Sequence, residues 1–157
     1  MHMQKDKVCA FFGHREVENK EETKEILRKK ITDLISDGYG VFCFGGFGEF
    51  DNICWEVVTE LKENYPFLRR IFYLYDERHT RISKRPKYLK ESDYEEFVYP
   101  DLEFDWWYQR IYYRNIEIIK KSDYIVFYIT HTQNSGAYKA YQYAKRIKKS
   151  MCNIARE

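Results

Sequence analysis

Short apolar runs alternate along the chain with segments in which apolar residues recur every three or four positions. After Lys7, Val8-Cys9-Ala10-Phe11-Phe12 is an unbroken apolar run, the pattern of a strand buried on both faces of a parallel sheet. Lys20 to Ser36 then sets Ile26, Leu27, Ile31, Leu34 and Ile35 on one helical face with charges opposite, and Asp37-Gly38 stops it. Gly40 to Phe44 predicts a second strand and Asn52 to Leu61 a second helix, with Leu68 to Tyr75 as a third strand. Tyr108 to Lys121 carries Ile111, Ile118 and Ile119 inward as a helix, and Ser122 to Ile129 reads as a fourth buried strand. A helix opens at Ser135-Gly136 and runs to Lys149, before a short fifth strand, Met151 to Ile154. Strand–helix alternation of this kind predicts an α/β fold, a doubly wound, mostly parallel five-stranded sheet with helices on both faces and right-handed crossovers.

Residues 1–157 read as a single domain with a charged insertion at about 76–104, where the periodicity fails. There Arg78, Arg81, Lys84, Arg85, Lys87 and Lys90 precede Glu91, Asp93, Glu95, Glu96, Asp101 and Glu103. A connection this long and this charged is a functional loop or a mobile segment.

Composition narrows the classes. Hydrophobic residues at 44% and charged residues at 33% exclude a disordered chain. The net charge of +2, with both signs interspersed, does not call for a nucleic-acid partner, which is not expected on this ground. Cys9, Cys43, Cys54 and Cys152 show no CxxC or metal-ligand spacing, and the four histidines add none, so neither a metal nor another cofactor is expected. Three of the cysteines lie in apolar runs and read as buried thiols of a reducing, cytoplasmic compartment. No apolar run approaches the ~20 residues of a membrane span, so no membrane is expected either. The 15 Tyr, 11 Phe and 3 Trp supply flat amphipathic surfaces for a pocket or an interface between copies, and a homo-oligomer (dimer or higher) is expected. A/T-rich codon usage explains the same excess equally well. Of this group, Phe104, Trp106, Trp107, Tyr108, Tyr112 and Tyr113 read as half core, half pocket wall.

In a doubly wound sheet, ligands bind beyond the carboxyl ends of the strands, where the strand order reverses. Three loops leave such ends. Gly13-His14-Arg15 offers a turn and a guanidinium able to hold phosphate. Gly45-Gly46-Phe47-Gly48 leads into a helix and offers backbone N–H donors, with Glu49 and Asp51 as acceptors for ribose hydroxyls. Thr130 to Asn134, with Ser135 and Gly136, ends at a second helix N-terminus. Each residue also has a bland reading: Arg15 as a partner of Glu16 or Glu18, His14 as a structural histidine, Asp51 as a helix cap, and Arg114 as half of a surface pair with Asp105.

Together, Val8 to Arg15, Gly45 to Asp51, Arg114-Asn115 ahead of Lys121 to Val126, and Asn134-Ser135-Gly136-Ala137 with Tyr143-Ala144-Lys145 resemble the SLOG superfamily, in motif order and over nearly the whole chain. The nearest likeness is to small bacterial members with Gly-His-Arg after the first strand and Gly-Gly-x-Gly-x-x-Asp after the second. The resemblance implies a Rossmann-like fold. It implies phosphate on Gly45, Gly46 and Gly48, Arg15 on phosphate or ribose, Asp51 beside the sugar, and Ser135 and Gly136 capping the ligand. The superfamily joins nucleotide-binding and single-stranded-DNA-binding modules with enzymes that cleave the base from nucleoside monophosphates. Those enzymes carry Pro-Gly-Gly-x-Gly-Thr and a catalytic Glu three positions on, where this chain has Phe44, Glu49 and Asn52. The leading expectation is therefore a sensor, sequestering or regulatory module for a nucleotide or nucleotide-derived small molecule. One alternative is a nucleoside 5′-monophosphate N-glycosidase using Asp51 or Glu49. A second is single-stranded nucleic-acid binding through Arg78 to Lys90 and exposed tyrosines.

Overall fold

A computed structural model describes residues 5–45, 48–75, 87–104, 106–133 and 135–156. Six strands, β1 (Lys7–Gly13), β2 (Tyr39–Phe44), β3 (Arg69–Tyr73), β4 (Glu96–Val98), β5 (Tyr124–Tyr128) and β6 (Met151–Asn153), form one parallel sheet. Their order is β4-β3-β2-β1-β5-β6. The helices are α1 (Lys20–Ser36), α2 (Glu49–Asn64), α3 (Trp107–Lys121) and α4 (Gly136–Arg146).

The apolar runs are strands because both of their faces are covered. Cys9, Phe11, Phe42, Phe44, Phe72 and Val126 pack with Leu27 and Ile31 of α1 and with Phe50, Val57 and Val58 of α2. Their alternating neighbours Ala10, Phe12, Val41, Cys43, Ile125 and Phe127 pack with Ile118 and Ile119 of α3 and with Ala140 and Ala144 of α4. Period-2 alternation thus sends each run into two cores, giving the three-layer doubly wound architecture. Register is fixed at the start of β5, where Val8 N donates to Asp123 Oδ2 (2.8 Å) and Asp123 N returns a bond to Val8 O (2.7 Å).

The sheet has six strands where five were expected. The extra strand, β4, lies inside the stretch read as a charged insertion, and its three residues are too few to show a period. Around it the insertion is anchored. Glu95 takes three bonds from Arg70, one from the backbone N (2.8 Å) and two from the guanidinium (3.0 and 2.7 Å). Tyr88 stacks on Trp55, whose Nε1 donates to Asp93 O. Arg78, Arg81, Lys84 and Arg85 lie outside the described residues. α4 stops at Arg146, short of the expected Lys149, because Lys148 takes a left-handed conformation (φ 59°).

The chain lays down β1 to β4 outward on one side of β1, then returns to place β5 on the other side. The carboxyl ends of β1 and β5 therefore border the crevice where successive connections diverge.

Replacing Glu95 by Gln should lower stability by about 2 kcal/mol at pH 7, less than for a fully buried pair because Glu95 is partly solvated. Partial burial opposes its charge, but the Arg70 bonds hold the carboxyl below its ordinary 4.5. The stabilisation is thus present above pH 4.5 and lost as pH falls through the lower folded value. Urea unfolding should show the gap between the two proteins closing in acid.

Candidate functional site

A cleft of about 1340 Å³ opens at the switch point, bounded by the β1–α1 loop, the end of β2, the first turns of α3 and α4, and the β5–α4 loop. Of the residues singled out from sequence, Gly13, His14, Arg15, Gly45, Asp51, Arg114, Ser135 and Gly136 line it. Gly46, Phe47 and Asn134 lie outside the described residues. Gly48 is set just behind the lining as the residue preceding α2.

The first two loops are fastened to each other. Glu49 N donates to Arg15 O (2.8 Å), and Val17 N donates to Glu49 Oε2 (2.6 Å). Lys20 Nζ sits 2.9 Å from Glu49 Oε1. The Lys20 and Val17 hydrogen bonds hold the Glu49 carboxyl below its ordinary value. Both of its oxygens face the β1–α1 loop, so Glu49, one of the two carboxylates expected to act in an enzyme, is absent from the cleft lining. Asp51, the other, is half-buried and lines it.

Arg114 is neither a surface partner nor an exposed contact. It is 3% exposed, and its Nη1 donates to Gly45 O (3.0 Å) and Tyr73 O (3.2 Å). Nε and Nη2 donate to Asn115 Oδ1. Burial lowers its pKa to about 10, partly offset by the charge of Asp51, and it stays protonated at neutral pH. Arg114 is thus a clamp that joins the ends of β2 and β3 to α3.

Elsewhere on the surface Lys24 and Arg28 pair with Glu60, Arg69 with Glu96 and Lys121 with Glu117. Among the described residues Arg15 makes no ion pair with Glu16 or Glu18, and Lys139 makes none at all. Arg146 lies over the Tyr143 ring, 5.2 Å from its centroid. Glu16, Glu18 and Asp51 also line the cleft, so its charges nearly balance.

Expectation and structure part on the aromatic cluster, which contributes nothing to either core. Trp106, Trp107 and Tyr108 are 61%, 60% and 55% exposed at the start of α3. Phe104 stacks on Tyr113 with centroids 4.3 Å apart. Trp107, Tyr108, Tyr112 and Tyr113 line one side of the cleft, while Tyr143 and Lys139 line it from α4. Tyr143, Lys139 and Arg146 were not singled out from sequence as site residues. Their positions 139, 143 and 146 follow a helical spacing beyond the Ser135 cap, the one signal that would have placed them together.

At the floor, His14 N donates to Tyr128 O (3.3 Å), prolonging the β1–β5 ladder. Its ring is 8% exposed and lies parallel to that of His131, 3.8 Å away with 7° between planes. Among the described residues, His14 Nε2 is buried without a hydrogen-bond partner. Burial, then the neighbouring His131, lowers the His14 pKa below its ordinary 6.5. Ser135 Oγ caps α4 by accepting from Tyr138 N (3.1 Å).

No family model and no curated protein matches the chain. Solved structures of DNA processing protein A share its fold. The Streptococcus pneumoniae protein aligns with a TM-score of 0.60 and 9% identity, over 92% of this chain and 49% of its own. The Helicobacter pylori protein, described by its unique single-stranded DNA binding mode, aligns with a TM-score of 0.60 and 15% identity, over 92% of this chain and 63% of its own. This chain therefore spans about half of the first protein and under two thirds of the second. At such identities the likeness is one of fold, an α/β Rossmann-like arrangement.

Two expectations are corrected by these neighbours. The leading one, a sensor, sequestering or regulatory module for a nucleotide or nucleotide-derived small molecule, gives way, because the proteins sharing this fold handle DNA. The view that nucleic acid is not the expected partner falls with it. It rested on the net charge of +2, a sum over the whole chain that does not report Arg15, Lys139 and Arg146 lining one cleft.

Two glycines should respond oppositely to alanine. At Gly48, φ is +101° and a Cβ would lie 2.6 Å from Arg15 Cα, so Gly48→Ala should cost about 2 kcal/mol and lower Tm by roughly 5 °C. A Cβ on Gly136 meets nothing within 4 Å, and Gly136→Ala should leave Tm within about 1 °C in thermal unfolding.

Proposed function

We propose that this chain binds single-stranded nucleic acid in the switch-point cleft. The observation that carries the reading is the pairing of solvent-exposed aromatic faces with the cationic side chains of Arg15, Lys139 and Arg146 along one groove, the combination by which single strands are held without sequence reading. Trp107, Tyr108 and Tyr112 offer stacking surfaces to successive bases. Arg15, Lys139 and Arg146 offer charge to the backbone, and the N-terminus of α4 at Ser135 and Gly136 offers N–H groups to a phosphate. Gly13 and Gly45 leave room for the Phe50 ring and the Arg114 guanidinium beneath the groove, and Asp51, which shares the cleft, offers an acceptor to a sugar or base edge. The fold shared with the Helicobacter pylori protein supports this choice among the superfamily's activities. No helix among the described residues is long and apolar enough to cross a membrane. A cytoplasmic location fits the buried free thiols of Cys9, Cys43 and Cys54.

Fluorescence anisotropy with a labelled 20-nucleotide strand tests the reading. Three phosphate contacts predict a log–log salt slope of about −2. Trp107→Ala should weaken binding by about 1–3 kcal/mol, and Lys139→Glu should also weaken it and flatten the slope. Equal affinity for blunt duplex, or full affinity in both variants, would refute it.

A further inference from the structure

Resting on strand binding at this cleft, we propose that His14 and His131 form a proton-coupled phosphate contact. When a strand enters, one proton from solvent is taken up on His14, and binding tightens as pH falls.

The geometry limits the pair to one proton. Two rings stacked face to face at 3.8 Å cannot both be imidazolium without direct like-charge repulsion. His131 Nδ1 already accepts a hydrogen bond from Gln133 N (3.3 Å), so its lone pair there is engaged and a proton would break that bond. His14 has no such commitment at Nε2, which is buried and, among the described residues, without a partner. A buried polar atom left unpaired is costly, and it persists where a partner arrives later. His131 is exposed and covers the buried ring from the β5–α4 loop, the side on which Ser135 begins α4.

Charged groups of both signs share the cleft with the pair: Arg15, Glu16 and Glu18 from the β1–α1 loop, Asp51 from α2, the buried Arg114 from α3, and Lys139 and Arg146 from α4. Tyr128 packs edge-on against His14 from β5. The free protein leaves His14 neutral at pH 7, its ionisation held down first by burial and then by His131. A phosphate brought beside it adds the negative charge that favours imidazolium, and the proton then supplies a charge-assisted donor at Nε2. Proton uptake and strand binding must then strengthen each other.

The test is the affinity of a fluorescein-labelled oligothymidylate from pH 5.5 to 8.0 at fixed ionic strength. One coupled proton predicts affinity rising by up to about tenfold per pH unit within the transition, and no more. His14→Gln should flatten the profile, so that affinity no longer rises as pH falls from 8.0 to 5.5. His131→Gln, at an exposed position that leaves the fold intact, removes the cover and the like charge and should move the transition to higher pH. A pH-independent affinity in the unaltered protein would overturn the inference and leave strand binding standing. A profile unchanged in both variants would also overturn it, assigning the protons elsewhere. No binding of the strand at any pH would remove the underlying reading, and the inference with it.

Discussion

A guanidinium buried in the middle of the molecule holds the working end of the sheet together. Arg114 reaches from α3 to the carbonyls of Gly45 and Tyr73, at the carboxyl ends of β2 and β3, and bonds Asn115 on its own helix. A buried cation is expensive unless its donors find acceptors, and here two main-chain carbonyls and the Asn115 side-chain oxygen supply them. Strand ends that would otherwise splay into separate loops are pulled to one side chain. Gly45 must lack a side chain for this, since a Cβ there would lie 2.7 Å from Arg114 Nη2. The glycine is fixed by packing against the protein itself, before any ligand is considered.

The β1–α1 and β2–α2 loops are joined the same way. Glu49 receives Val17 N and Lys20, and Gly48 packs on the Arg15 backbone. The floor of the cleft is therefore preorganised, and the groups left to meet a ligand stand on its walls. The start of α3 presents exposed indole and phenol rings, and α4 presents Lys139 and Arg146. A rigid floor with aromatic faces and cationic side chains on its walls suits a ligand that offers repeated flat bases and phosphates to several contacts at once.

Much of the fold was legible because the cores impose it. Runs such as Ala10-Phe11-Phe12 must feed two layers at once, and Leu27, Ile31 and Leu34 on one stripe must face one of them. β4 was not legible, because three residues carry no period and its stability comes from Arg70 meeting Glu95 across twenty-five positions. The loops were placed by their position at strand ends, but side-chain direction was not. Glu49 and Asp51 are two apart on a helix and so point about 200° apart, one to the neighbouring loop and one to the cleft. Arg114 reads as a surface charge until the carbonyls that receive it are in view. The aromatic cluster was judged by hydrophobicity, which cannot distinguish a core ring from one kept at the surface to stack.

Photocrosslinking an oligonucleotide that carries 5-iododeoxyuridine at successive positions, with the adducts located by mass spectrometry, would show which face of the molecule the strand follows. Strand binding in the switch-point cleft predicts adducts on Trp107, Tyr108, Tyr112 or Tyr143. Adducts confined to Tyr99, Phe67 or the outer surfaces of α1 and α2 would place the strand elsewhere and contradict it.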